Sequence, residues 1–101
     1  MGNRLELHEI LVDILGSRNV YYQPPENIKM TYPAIVYSKT DIWKNRADDK
    51  NYQKRNRYDL IVIDSRPDNP VIEKLMDLPY CTYDRPYISD NLHHDSLSIY
   101  F

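Results

Sequence analysis

Residues 58–64 read Tyr-Asp-Leu-Ile-Val-Ile-Asp, the run of this sequence most typical of a β-strand. Aromatic and β-branched side chains favour strands, and polar residues extend the pattern back to Gln53, so we predict a strand over 53–64. Residues 34–43, from Ala34 to Trp43, have the same character. We expect the two strands to pair as a long antiparallel hairpin, which decides the rest of the fold.

The tip of this predicted hairpin, residues 45–51, is polar apart from Ala47, and the strand ends beside it stay polar beyond what a core requires. We therefore expect the outer half of the hairpin to project from the domain. Residues 39–57 carry seven basic side chains and three aspartates, a balance of +4 in a chain of net charge −2, which leaves −6 elsewhere.

Opposite charges on hairpin and body would steer and register a head-to-tail contact between identical subunits. Charge that serves only to solvate an exposed hairpin explains the pattern equally well. The candidate residues for an interface with another subunit or partner are Trp43, Lys44, Arg46, Asp48, Asp49, Lys50, Lys54, Arg55 and Arg57.

Outside the hairpin, the periodicity predicts two helices and three further strands. Asn3 begins a capping-box-like pattern, and apolar residues then recur at helical spacing until Gly16. A second helix is predicted over 70–78, where Asn69 would cap it and Pro70 would occupy the first position. The remaining strands are predicted over 20–23, 80–88 and 96–101.

These elements give the order α-β-β-β-α-β-β in one α+β domain over residues 1–101. The simplest packing is a mostly antiparallel sheet with both helices on one face, because each element has one apolar side to bury. Pro86 would place its strand at an edge. Leu97, Ile99 and Phe101 alternate with polar residues and should face the core. The second face of the sheet would meet solvent or a partner.

Composition narrows the class of protein. Hydrophobic residues make up 42% of the 101 residues and charged residues 28%, a balance typical of one folded domain. Cys81 is the single cysteine, which favours a reducing compartment, and we expect neither a signal peptide nor a membrane span. The sequence has ten tyrosines. Their aromatic rings favour strands, and their hydroxyl groups also suit interfaces that are partly exposed to water.

Candidate chemistry is sparse. His93, His94 and Asp95 are adjacent on an extended chain, so they point to alternate faces and make a poor metal site. Cys81 lies in an apolar strand and is expected to be an inert buried thiol. The acidic residues around Glu73 lack the spacing of a nuclease. We predict no enzyme activity, no metal and no cofactor.

Several segments together resemble small proteins of the neck and tail-completion modules of tailed bacteriophages. The similarity lies in Leu-His-Glu-Ile-Leu at 7–11, in 16–25, 29–37, 58–64, 84–87 and 90–94, and in the closing Tyr100-Phe101. It resembles most the tail terminator family. The resemblance implies a structural protein of the virion, assembled in the cytoplasm of the bacterial host, without cofactor or reaction.

A tail terminator is a ring, usually a hexamer, that caps the tail tube and joins it to the neck. The implied partners are copies of itself, the tail tube protein and a neck, stopper or connector protein, with genomic DNA passing through the ring without sequence-specific binding. Two alternatives remain open: a head-tail connector stopper or minor capsid protein, and a small nucleic-acid-binding accessory protein that uses the basic hairpin with Trp43, Tyr52 and Tyr58.

Overall fold

A computed structural model describes residues 3–25, 28–46 and 52–101, with the backbone alone described at 42–46 and 52–54. These residues form two helices and five strands in the predicted order. These are α1 (Arg4–Leu15), β1 (Val20–Tyr22), β2 (Ala34–Arg46), β3 (Tyr52–Asp64), α2 (Val71–Met76), β4 (Cys81–Ser89) and β5 (Leu92–Tyr100). The α+β class and the mostly antiparallel sheet are confirmed.

The five strands form one sheet in the order β1-β2-β3-β5-β4. The β2–β3, β3–β5 and β5–β4 pairs are antiparallel, whereas β1 runs parallel to β2. The position of β4 at the edge confirms the expectation from Pro86, because a proline lacks the N–H that a central strand would donate. The register of β4 also shifts between Tyr83 and Arg85.

Both helices pack on one face of this sheet. Leu7 and Leu11 of α1 and Val71 and Leu75 of α2 join a single buried cluster with alternate strand residues, namely Val20, Ile35, Tyr37, Tyr58, Leu60, Val62, Leu97 and Ile99. Leu97 and Ile99 face the core as predicted, and Phe101 packs against it partly buried. The residues that alternate with this cluster lie on the face without helices.

The helix ends follow the local chemistry of the chain. The Asn3 side chain accepts a 2.9 Å hydrogen bond from the Glu6 backbone N–H, and Gly16, at φ 78°, donates to Val12 O. At α2 the Asn69 side chain accepts from the Val71 N–H at 2.9 Å. Asn69 therefore caps the helix as predicted.

Several predicted boundaries were wrong. Helix α2 is shorter than 70–78, because the chain leaves the helix at Asp77, two residues before Pro79. Strand β5 begins at Leu92 instead of 96, since His93 to Asp95 pair with β3 and β4 even though the run does not alternate in polarity. Strand β2 continues to Arg46, so part of the predicted tip belongs to the ladder.

Candidate assembly surface

Strands β2 and β3 are longer than the sheet that contains them. The last β3–β5 pair is Arg57 with Tyr100, and the Phe101 N–H donates to Asn56 O at 2.9 Å. Beyond that point, within the described part of the chain, residues 43–46 and 52–55 pair only with each other. We call these eight residues the distal ladder. At ~3.3 Å per residue it extends ~13 Å.

The distal ladder begins close to a β-bulge. The β2–β3 register shifts between Lys39 and Asp41, and the Thr40 hydroxyl donates to Arg57 O at 3.4 Å. A bulge bends its strand and increases the local twist. The bulge therefore sets the direction in which the ladder leaves the sheet.

The predicted interface residues fall in three places. Trp43, Lys44 and Arg46 lie on β2, and Lys54, Arg55 and Arg57 lie on β3. Asp48, Asp49 and Lys50 lie outside the described residues. The register pairs Trp43 with Arg55 and Lys44 with Lys54. The structure therefore places six of the nine on the two strands of one hairpin.

The basic positions of the distal ladder share one face. Lys44 is directly opposite Lys54, and Arg46 is two residues further along the same strand. Residues two apart on a strand lie on the same side. The register therefore places three basic residues of the sequence along one side of the ladder.

Two of the predicted residues are bound within their own chain. The Arg55 guanidinium lies 4.4 Å from the centroid of the Tyr80 ring, and Tyr80 is 61% exposed. Arg57 Nε lies 3.7 Å from Asp59 Oδ1, and neither atom has a hydrogen-bond partner among the described residues. Arg55 and Arg57 therefore contact other residues of the same chain at the base of the ladder. These contacts leave both side chains less available to a partner than the sequence suggested.

An acidic surface lies on the outer side of α1. Glu6, Glu9 and Asp13 are exposed, at the helical spacing that aligns them along one side of the helix, opposite the buried Leu7 and Leu11. None of the three carboxylates forms an ion pair with a residue of the described chain. Leu5, 64% exposed, lies at the N-terminal end of the same surface. We call these four residues the acidic face of α1.

Beneath α1, a polar cluster joins the helix to the sheet. The Tyr37 hydroxyl lies 2.7 Å from His8 Nδ1 and 3.4 Å from an Arg4 guanidinium nitrogen that donates to it. Arg4 also lies 4.4 Å from the centroid of the Tyr22 ring. Burial raises the pKa of Tyr37 more than Arg4 lowers it. Arg4 and His8 are therefore engaged inward, and the basic residue beside the carboxylates is Arg18, which lines one pocket with Glu9 and Asp13.

The residues considered for catalysis do not converge. Cys81 is half-buried and not fully buried as expected, and burial followed by the charge of Asp84 raises the pKa of its thiol. His94 stacks on Tyr87 with ring centroids 4.7 Å apart, and its Nδ1 lies 3.1 Å from Leu92 O. Among the described residues no three His, Cys, Asp or Glu side chains are grouped to hold a metal ion.

Tyr83 and Asp95 form a separate pair on the helical side of the β4–β5 ladder. The Tyr83 hydroxyl donates to Asp95 Oδ1 at 2.7 Å, and this hydrogen bond raises the pKa of Tyr83 to about 12. The bond joins strands β4 and β5 across the sheet edge. Asp95 is therefore a structural acceptor, and the metal reading of 93–95 gains no support from it.

Sequence reasoning missed two features of this surface. The acidic face of α1 had a readable signal, since Glu6, Glu9 and Asp13 recur three and four residues apart. The Tyr37 cluster had none, because its partners Arg4 and His8 are 33 and 29 residues away along the chain.

Comparison with known proteins assigns this chain to no family. No protein-family model matches the chain, and no curated protein matches it. Within the described ranges, no helix has both the length and the apolar character needed to cross a membrane.

Proposed function

We propose that this protein is a structural component of a long-tailed bacteriophage that forms a ring, caps the tail tube and joins the tail to the neck. The observation that carries the proposal is the distal ladder, a charged two-stranded ribbon with no third described strand beside it. An isolated two-stranded ribbon is marginally stable in water. A partner surface would stabilise it.

The charges favour contact between copies of the same chain. The hairpin is basic and the remainder of the chain is acidic, so the two surfaces attract when they belong to different subunits. When two subunits meet through two different surfaces, each subunit still has one of these surfaces free for a further copy. Repeated contacts close a ring when the rotation between neighbouring subunits returns the last copy to the first. A ring is the form that a tail terminator requires.

The assignment to a phage particle, and to the end of its tail, rests on the resemblance of the segments quoted above. In this role one side of the ring meets the last ring of the tail tube protein and the other meets a neck, stopper or connector protein. Genomic DNA passes through the opening without sequence-specific contacts. The protein would then reside in the virion after assembly in the bacterial cytoplasm, and it needs neither a cofactor nor a reaction.

A nucleic-acid-binding accessory protein is the second candidate. The observation in its favour is the row of cations at Lys44, Lys54 and Arg46, since phosphates also neutralise such a face. The two functions differ in the partner. Nucleic-acid affinity falls steeply with salt because counterions are released, and a subunit contact between opposite charges is also screened by salt, so the identity of the partner decides between them.

The first experiment measures the mass of the purified protein by light scattering coupled to gel filtration, over a range of concentrations and at low and moderate salt. The expected result is a closed assembly near six subunits, visible as rings by negative-stain electron microscopy. A monomer at every concentration, together with salt-sensitive binding to a DNA duplex, would contradict the terminator function and favour the second candidate.

The position in the particle needs a separate experiment. Tubes polymerised from the tail tube protein of the same virus are incubated with the protein, and bound protein is located by gold labelling. A terminator labels one end of each tube, because only the last ring presents a free end surface. Labelling along the tube wall, or none at all, would count against a capping role.

A further inference from the structure

A small apolar pocket lies where β5 ends, at the base of the distal ladder. Its volume is ≈ 240 Å³, and pockets that hold small-molecule ligands are usually ~300–1,000 Å³. The pocket therefore suits a side chain of a partner protein better than a free ligand. Arg55 is the one cation among the described residues that line it, and its apolar lining includes Ile10, Leu78, Tyr80, Ile99 and Phe101.

Arg55 is held at this pocket by its contact with Tyr80. Tyr80 has a φ of 61°, which is uncommon for an aromatic residue, and its carbonyl oxygen accepts a 3.2 Å hydrogen bond from the Tyr100 N–H. A guanidinium has five N–H donors, and Arg55 forms no ion pair with a carboxylate in the described part of the chain. An apolar side chain with a carboxylate close to it would occupy the pocket and bind the cation together.

The tip of the hairpin formed by β4 and β5 presents such a pair of side chains. Ile88 is 68% exposed, the largest exposed fraction among the large hydrophobic residues that the structure describes. Asp90, two residues further on, is exposed and forms no ion pair with a described residue. Asp90 and Asn91 have φ values of 53° and 62° and make the two-residue turn between the strands. This turn fixes the spacing between the apolar side chain and the carboxylate.

The arginines near the hairpin tip are engaged within their own chain. An Arg66 guanidinium nitrogen lies 3.5 Å from Asp64 Oδ2, and the Arg85 guanidinium lies 5.3 Å from the centroid of the Tyr87 ring. Asp68 is exposed in the groove beside the tip, which two histidines of β5 also line. The tip is therefore an acidic end of the molecule, whereas the pocket presents a cation.

The tip and the pocket lie at opposite ends of the same strand. Seven residues separate Leu92 from Ile99 on β5, which corresponds to ~23 Å at the usual rise of a strand. A tip therefore cannot reach the pocket of its own chain, whereas the tip of a second copy can. Each copy has one tip and one pocket, so the contact is heterologous and can repeat until a ring closes.

We propose that the β4–β5 tip of one copy inserts Ile88 into the pocket of the next copy and that Asp90 binds Arg55 there. This inference rests on the proposed function and names the surface of the neighbour that meets the base of the ladder. The occupant is a second copy of this chain, selected by an exposed apolar side chain beside a carboxylate.

The tip contact is one part of the interface between subunits. A stable interface buries ~1,200–2,000 Å², far more than one isoleucine and one ion pair supply. The tip therefore fixes the orientation of the neighbour, and the distal ladder provides further contact beside it. Loss of either part should prevent assembly.

The test uses two variants that each damage one side of the contact. The tip variant carries Ile88→Ser and Asp90→Asn, since asparagine tolerates the φ of this turn. The pocket variant carries Arg55→Glu. Each variant alone should bind its own copies about tenfold or more weakly and should be monomeric by light scattering at concentrations where the unaltered protein forms rings.

Mixed in equal amounts, the two variants should form a pair with one copy of each and nothing larger. The pocket variant keeps an intact tip, and the tip variant keeps an intact pocket, so one contact can form. The remaining tip and the remaining pocket of this pair are both damaged, which stops further growth. Native mass spectrometry of the mixture identifies the two chains in the pair.

A matched control removes an exposed apolar residue and one charge from α1, as Leu5→Ser and Glu9→Gln. Leu5 is 64% exposed, close to the exposure of Ile88, and Glu9 is exposed. This control should assemble like the unaltered protein. Far-ultraviolet circular dichroism and the unfolding midpoint establish that every variant folds, and Arg55→Gln replaces Arg55→Glu if the reversed charge prevents folding.

The outcomes separate this inference from the proposed function. If either the tip variant or the pocket variant still forms the rings of the unaltered protein, the ring stands and this contact does not close it. Two monomeric variants that fail to pair when mixed, or that form rings when mixed, also overturn the inference. An unaltered protein that stays monomeric contradicts the ring itself, and with it the inference.

Discussion

The helix-covered sheet and the distal ladder differ in whether neighbouring elements of the same chain contact them. In the body, Leu11, Leu60 and Leu97 are fully buried in one cluster, and the Tyr37 hydroxyl finds partners on α1. In the ladder, the same two strands continue with no described third strand beside them. The body buries its apolar residues within one chain, whereas we propose that a second chain contacts the ladder.

The largest expected effect is loss of a core side chain. Leu60→Ala removes a fully buried leucine from the centre of β3 and should lower the free energy of unfolding by about 3 kcal/mol, through lost apolar contact and a residual cavity. Lys39→Ala, at an exposed position of the paired strand β2, should change it by less than about 0.5 kcal/mol, as is usual away from a core. Urea unfolding followed by circular dichroism measures both. Equal losses for the two would contradict the placement of Leu60 in the core.

The next effect concerns the connection between β3 and α2. Asn69→Ala removes the 2.8 Å hydrogen bond to Asp64, whose side chain is buried, and the cap on Val71 N–H. The expected loss is about 2 kcal/mol, because the buried Asp64 Oδ2 loses its closer donor and keeps only Arg66 at 3.5 Å, and because the helix loses its cap. Ser65→Ala, exposed in the same connection, is the matched control. If both variants unfold at the same urea concentration, Asn69 does not hold this turn.

A smaller effect is expected at the base of the ladder. Arg55→Ala removes the cation that lies over the exposed Tyr80 ring and should cost about 0.5 kcal/mol, the value usual for such a pair in water. A double-mutant cycle with Tyr80→Ala isolates the contact from other effects of either substitution. A coupling energy of zero would mean that Arg55 is free for a partner after all.

The smallest effect is a pH dependence at the edge of the body. The pKa of Tyr83 is raised from 10.0 to about 12, so the folded state holds this proton more tightly than the unfolded state. The stabilisation from the Tyr83–Asp95 bond is complete below pH 10 and is lost as the pH rises through 12. Tyr83→Phe should flatten that part of the decline in thermal unfolding temperature. An unchanged slope above pH 10 would exclude the assigned bond.

Local patterns were sufficient for most of the body. Asn3, Gly16 and Asn69 act at helix ends as their chemistry predicts, and 58–64 is a central strand because its side chains suit burial. The predictions failed where pairing outweighs local pattern. His93 to Asp95 join β5 because β3 and β4 offer partners on both sides, which composition does not reveal.

The candidate surface was predicted only in part. Charge counting found the basic hairpin, since net charge is additive along a sequence. It could not find that Arg55 turns to Tyr80 or that Arg57 lies beside Asp59, because both contacts depend on the fold. The acidic face of α1 could be assigned once the structure showed which side of the helix is buried and which side is exposed.

The measurement that most directly tests the division between body and ladder is the mass of a shortened protein. In this variant residues 44–54 are replaced by Asn-Gly, a two-residue turn that suits the directly opposed Trp43 and Arg55 and keeps the Arg55–Tyr80 contact. We predict an unfolding midpoint close to that of the full chain and a monomer by light scattering under conditions where the full chain forms rings. A shortened variant that still forms the same rings would contradict the account.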